Sequence, residues 1–439
     1  MGWHPSRALL LSMLGSVSTL LYWQDYTLAT YLWRFFPLLG LYGLALWLVW
    51  GTLPGASTAR LTVIVVFAVV FRLLVVSSPL VLSSDLYRYV WDGRVQRAGI
   101  NPYRYAPEAE ALAPLRDADI YPHIHRPTLV TIYPPVAQML FALITTVVPD
   151  SVRGMKAVML LFDLAAVVIL LRLLRATGRP PEHVLLYAWS PLVVYEFAGS
   201  GHVDVLMLPF LLLAVQARLA HWPGASGVLL GLATLIKLYP AVLFPALYTR
   251  REHRFPLGFS AILVLGYLPY ISGVGLRVFG YLPDYFGPWE DFNGGLRAFL
   301  TVALTPLTVT ARGLAAGLCG ALLLGSASLV SRRHHTADWI RRALYMIGAY
   351  LLLVPTTFHP WYVIWILPCL CFYPIWGWLY LSGAIALSYL AYTRDYPSVP
   401  PGIQLLEFLP CYLLLLAQAL WRRWHSAQPA TALLRSRHL

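Results

Sequence analysis

Apolar residues run along this chain in long blocks separated by short polar ones. They neither alternate nor mark one stripe of a helix. The blocks fall near 7–23, 31–52, 60–78, 156–174, 183–198, 203–219, 225–238, 240–249, 255–273, 309–330, 340–357, 360–374, 376–393 and 404–421. Many approach the roughly 18 residues that a helix needs to cross about 30 Å of hydrocarbon. A membrane-crossing strand would alternate, so the backbone must satisfy its hydrogen bonds inside helices. The pattern predicts an all-α, polytopic transmembrane helical bundle of about 12–14 spans, one membrane domain over 1–439. Two stretches interrupt the pattern by more than a turn, a large loop at 79–135 and a second at 274–308. Neither is long enough to carry a core of its own.

Composition sharpens this. The chain is 59% hydrophobic and 12% charged, which excludes an ordinary soluble domain. Its formal net charge of +13 comes from short basic clusters at the ends of apolar blocks. That arrangement orients a membrane protein and touches anionic lipid head groups, so no nucleic-acid partner is expected. The clusters Arg172/Arg175/Arg179, Arg250/Arg251/Arg254, Arg332/Arg333/Arg341/Arg342 and Arg422/Arg423 can share the cytoplasmic side on two conditions. Segments 136–149 and 296–307 must lie along the outer surface, and 225–238 with 240–249 must form a shallow hairpin at Tyr239-Pro240. Both termini are then cytoplasmic, and most of the 19 acidic residues face outward. An outward-facing active site would explain that asymmetry. Arg7 before the apolar run Ala8 to Trp23 has the look of a signal sequence, but no small-x-small cleavage site follows, so a retained first span is expected. Cys319, Cys369, Cys371 and Cys411 lie in apolar blocks without metal-site spacing and read as buried apolar residues.

Four polar constellations could carry chemistry. In Ser84-Asp85-Leu86-Tyr87-Arg88, continuing through Asp92 and Arg94, a helix would put Asp85, Arg88 and Asp92 on one face. A carboxylate beside arginines at the membrane boundary could deprotonate a hydroxyl while the cations hold an anionic leaving group. The same spacing also suits an interfacial helix whose charges only face water. Glu196, His202 and Asp204 fall within nine residues of a Gly-rich turn; they could bind or position, and Asp204 could equally be a helix N-cap. Lys237, one of only two lysines with Lys156, precedes Tyr239-Pro240 within an apolar block. A charge there needs a cavity and a partner, and an ammonium suits a phosphate; snorkelling or a structural aspartate pair is the alternative. His359-Pro360-Trp361-Tyr362 opens another block and could be a binding cluster or an aromatic belt. The Tyr281 to Gly295 segment, with Trp289, Glu290, Asp291, Phe292 and Asn293, has a composition that stacks on and hydrogen-bonds sugars.

Taken together, the stretch Asp85 to Tyr103, the Tyr133-Pro134-Pro135 re-entry, Gly201-His202-Val203-Asp204, Lys237-Leu238-Tyr239-Pro240 and His359-Pro360-Trp361-Tyr362 resemble the GT-C superfamily of polyprenyl-phosphate-sugar-dependent glycosyltransferases. They are most similar to its bacterial mannosyltransferase branch. The eukaryotic dolichol-phosphate-mannose enzyme that builds membrane anchors has a similar first loop. The likeness covers roughly residues 60–375. It implies a single inverting displacement with Asp85 as general base on the acceptor hydroxyl. It further implies Lys237 with Arg88 or Arg94 on the lipid phosphate, and His202, Asp204 and His359 lining the sugar cavity. Asp92, Tyr103, Tyr133, Glu196, Tyr239, Trp361 and Tyr362 complete the expected substrate-binding set. The partners implied are a polyprenyl-phosphate sugar donor, a glycan or lipid acceptor, and membrane lipid. No cofactor is expected, because lysine and arginine can hold a monophosphate; a divalent metal stays open. Two departures are visible: two spans precede the aspartate, and Ser84 stands where some relatives have a second carboxylate. The scarcity of lysine suggests a GC-rich bacterial genome and hence the inner (plasma) membrane, with the active site facing the periplasm or exterior. A transporter or flippase of lipid-linked sugars is the competing class, although such proteins place ionisable groups near the midplane between repeats, and no repeat is visible.

Overall fold

The computed structural model describes residues 6–51, 57–282, 284–285, 287, 291–332, 338–394 and 398–427. Pro283, Trp289 and Glu290 of the second loop, and Arg333 of a basic cluster, lie outside these residues. Helix is the regular structure of the described residues, which hold no strand, as the block pattern predicts. Helices α1 (Arg7–Trp23), α2 (Tyr31–Trp50) and α3 (Thr58–Val76) open the bundle. Then come α4 (Asp85–Arg97), α5 (Pro135–Val147) and α6 (Val152–Ala176). Among the described residues six helices are long and apolar enough to cross a membrane: α2, α3, α6, Arg254–Ile271, Ala311–Arg332 and the one starting at Pro401. Their outward faces leave residues such as Trp33, Leu268, Leu324 and Leu414 exposed, a surface suited to lipid.

Several apolar blocks are not continuous spans. The block at 183–198 divides into a 3-10 turn (Pro181–Val184), two short helices (Leu185–Ala188, Pro191–Val193) and a π-helix (Val194–Gly199). The blocks at 240–249, 360–374 and 376–393 divide similarly. In most of these breaks proline is the local cause, since it removes an N–H and crowds the preceding turn. Every residue from 182 to 209 is buried. That enclosure explains why an irregular backbone survives at this hydropathy: its polar groups are satisfied by protein, where lipid would offer nothing. Helices α5, about 20 Å long from its 13 residues, and Leu296–Leu304 are both shorter than the hydrocarbon is thick.

Charged staples tie the centre together. Arg72 of α3 and Asp163 of α6, both fully buried, meet at 2.7 Å. Tyr187 Oη also donates to Asp163 (2.7 Å), and Arg72 donates to the carbonyl of Ala188 (2.6 Å). Lys156 donates to the carbonyl of Ser78 (2.8 Å), just beyond α3. All four cysteines are buried and form no disulfide. Helix α5 seats closely on α4 because Gly93 has no side chain; a Cβ there would lie 2.6 Å from the Phe141 carbonyl oxygen.

Candidate active site

Helix α4 starts at Asp85, directly after the apolar turn that leaves α3. The Asp85 amide donates to Ser83 Oγ (3.2 Å), which fixes the start of the helix. Its carboxylate, about one-third exposed, opens into a cavity of about 870 Å³. The cavity has an apolar wall of Leu28, Leu80, Val81 and Leu82. Polar groups line it too: Arg88 on α4, and His123, His125 and Arg126 from the first large loop. Tyr133, Tyr281, Tyr285, Asp291 and Phe292 extend the lining, which closes with Thr357, His359, Trp361 and Tyr392. The two polar loops and the His359-Pro360-Trp361 segment therefore converge on one chamber, although they are far apart in sequence.

Behind Asp85 lies a sharp bend between two helices. The Pro191–Gly199 and Asp204–Leu219 helices meet at 118° across Ser200–Val203. Gly201 makes that bend at φ +67°, and a Cβ there would come within 2.7 Å of Leu86. A glycine is required on both counts. The bend delivers His202 to Asp85, with Nδ1 3.6 Å from Oδ2. His202 Nε2 lies 3.2 Å from Glu196 Oε2. Trp361 is sandwiched between two imidazoles, His202 at 3.7 Å and His359 at 4.3 Å between ring centroids. Burial alone would raise the Asp85 pKa, but the contact with His202, helped by Lys237, holds it below the ordinary carboxylate value. Burial pushes the His359 pKa down to about 3, so that ring is neutral.

Residues 1–250 match the model of the MptA_B family, described as alpha-(1->6)-mannopyranosyltransferase, N-terminal domain. The chain belongs to this family. No curated protein and no solved structure matches it. Family membership makes the chain a glycosyltransferase and mannose its sugar. The matched segment holds Asp85, Arg88, Arg126, Glu196, His202 and Lys237, whereas His359 and Trp361 enter the chamber from the part beyond residue 250.

Not every residue expected from the sequence reaches that chamber. Asp85, Arg88, Tyr133, His359 and Trp361 do. Arg88 is held by Asp92 (2.8 Å) and the carbonyl of Leu129 (3.0 Å), which aim it along the cavity wall. Asp92 is a structural anchor, accepting also from Thr131 (2.6 Å) and Gln138 (2.9 Å). Arg94 is directed elsewhere, bridging Asp117 and Asp150 at 2.5 and 2.9 Å, and so does not line the cavity. Tyr103 is likewise structural, donating to the Tyr133 carbonyl (2.7 Å) and meeting Tyr270 edge-on. Asp204 is not the N-cap of its helix; Val203 is. Its carboxylate instead accepts from Trp365 Nε1 (2.7 Å) and faces Lys237 Nζ at 3.2 Å. Lys237 has thus found the partner its depth demands, with the Tyr362 ring 5.3 Å away. Tyr239 stacks on Trp365 at 3.7 Å, and Tyr362 pairs its hydroxyl with that of Tyr285 (2.7 Å). Glu196, His202, Asp204, Lys237, Tyr239 and Tyr362 therefore form a layer behind the chamber wall.

Sequence reasoning missed His123, His125, Arg126, Tyr285 and Tyr392. The His123-Ile124-His125-Arg126 string was the available signal, since it concentrates donors and a cation between Pro122 and Pro127. Stacking of His123 on Tyr87 (4.6 Å) brings that string to α4. Among the described residues, no group of three or more His, Cys, Asp or Glu is gathered to hold a metal ion.

Proposed function

We propose that this protein transfers mannose from a polyprenyl-phosphate donor to a hydroxyl of a glycan or lipid acceptor. The observation that carries the reading is Asp85, a partly open carboxylate lining a large chamber that Arg88 and Arg126 also line. The acceptor oxygen forms its bond to the anomeric carbon as the bond to the phosphate oxygen breaks. The electron pair leaves on polyprenyl phosphate, and the acceptor proton passes to Asp85. One displacement inverts the centre, so a β-linked donor gives the α product that the family description names.

Arg88 and Arg126, with His123 and His125 beside them, are the groups best placed to hold the phosphate. Arg88 keeps the role that the sequence resemblance gave to Lys237 with Arg88 or Arg94, and Arg126 joins it in place of Arg94 and Lys237. The apolar wall of Leu28, Leu80, Val81 and Leu82 would receive the first prenyl units. His359 and Trp361 offer a neutral hydrogen-bonding ring and a flat face to the sugar. On this reading the chain is an inner-membrane protein of bacteria with both termini cytoplasmic and the chamber facing the periplasm or exterior. The shortness of α5 and Leu296–Leu304 supports that orientation, because neither need cross the bilayer.

Two measurements test this. Purified protein in detergent, without any gradient, is expected to move labelled mannose from synthetic polyprenyl-phosphate-mannose to an added glycan acceptor; a transporter could not. Absence of turnover with lipid-linked mannose, together with turnover from a nucleotide sugar, would sink the donor assignment. Arg126→Ala is expected to raise the donor KM about 10- to 100-fold, the worth of one charge-assisted hydrogen bond, with a smaller change in kcat. An unchanged donor KM removes Arg126 from the phosphate site.

A further inference from the structure

Glu196 and His202 are not accounted for by the transfer step. Glu196 is fully buried in the π-helix, and a wide turn there closes through Ser200 N donating to the Tyr195 carbonyl (2.8 Å). Such turns place a side chain where an α-helix could not. Its Oε1 accepts from Tyr389 (2.8 Å), and its Oε2 has His202 Nε2 at 3.2 Å. His202 is 1% exposed and does not line the cavity. The groups packed on its ring are Asp85 from α4, Glu196 from the π-helix and Trp361. Tyr89 stands beside them, its hydroxyl accepting from the Val203 amide (3.2 Å) and lying 3.5 Å from Asp85. Lys237 acts on Asp85 from farther away, and His359, neutral, stacks on the other side of Trp361.

We infer that His202 is a positioning residue, a doubly protonated imidazole clamped between Asp85 and Glu196 that aims and ionises the base. The inference rests on the reading of Asp85 as that base. A neutral imidazole has one N–H and one lone pair, so it would turn a lone pair toward one of the two carboxylates. Only the imidazolium turns an N–H toward both, here at ion-pair distances of 3.6 and 3.2 Å. The buried Glu196 carboxylate accepts a single hydrogen bond, from Tyr389, so in a dry interior its charge is balanced by an imidazolium at ion-pair distance. Glu196 thus keeps the ring charged, Trp361 holds its plane by stacking, and the ring holds the Asp85 carboxylate toward the chamber. The arrangement also explains the bend at Gly201, which sets His202 between helices that would otherwise run straight past Asp85.

The first test needs no substrate. Nitrogen-15 histidine NMR of the full chain in bilayers at neutral pH is expected to show one doubly protonated ring that disappears in His202→Phe. In Glu196→Gln that ring is expected to lose its second proton at lower pH than in the wild type. A neutral His202 in the wild type overturns the inference. The second test is kinetic. His202→Phe keeps an aromatic ring against Trp361, and is expected to lower kcat about 10²-fold while donor KM stays within about threefold. It should also move the acid limb of the pH–rate profile up by about one unit, because burial of Asp85 is no longer offset. Glu196→Gln, the milder change, is expected to move the same limb upward by less. Folded variants with wild-type kcat and pH profile overturn the positioning role. A wild type that shows the charged ring yet transfers nothing from polyprenyl-phosphate-mannose refutes the donor reading and leaves the clamp standing.

Discussion

Asp85→Asn is expected to fold as the wild type does, to bind donor normally and to lose kcat by about 10²–10⁴, the usual contribution of a positioned general base. The substitution is nearly isosteric. The Asp85 amide that starts α4 is untouched, and an asparagine can still face His202 through its carbonyl. What it lacks is the ability to take the acceptor proton. The pH dependence gives a second handle. The wild-type carboxyl is held below its ordinary value of 3.8, so the base is ionised at all higher pH and activity is lost only as pH falls through that lowered pKa. A purified Asp85→Asn protein with wild-type turnover would remove Asp85 from the role. A variant that also loses donor binding would make it a binding group.

Arg72→Leu is expected to destabilise the protein by about 3–5 kcal/mol, because it leaves Asp163 charged and buried with only Tyr187 as donor. The pair joins α3 and α6 and anchors the broken segment through the Ala188 carbonyl. The double variant Arg72→Leu/Asp163→Leu is expected to recover most of the loss, since removing both charges also removes the desolvation that the pair had to overcome. Thermal unfolding in lipid nanodiscs measures both. If the single and double variants are equally unstable, shape rather than charge holds α3 to α6. The effect on transfer should follow stability, because neither residue lines the chamber.

Much of this was legible in the chain. The bounds of α1, α2, α3 and α6 follow from local length and hydropathy, quantities that each segment carries by itself. Asp85 stood out for the same kind of reason: it is the first carboxylate in the largest polar gap. Lys237 was recognisable as needing a partner, because the cost of burying an ammonium is set by the medium and not by the fold.

Who the partner is could not be read in this way. Lys237 and Asp204 are 33 positions apart, Arg72 and Asp163 are 91, and His202 and Asp85 are 117. Burial obliges each charge to be compensated, but many pairings satisfy that obligation equally well in sequence. Only packing selects among them, and it took Arg94 out of the expected phosphate site while bringing Arg126 into the chamber wall. Packing also decided that the block at 183–198 is not one helix. Its composition suits lipid, yet enclosure by neighbouring helices allows prolines, a π-helix and a 118° bend where lipid would enforce a straight span. The sequence by itself determined a helical membrane protein with a carboxylate at its polar gap. The tertiary structure decided which distant residues surround that carboxylate, because contact geometry is a property of the packed chain and not of any one segment.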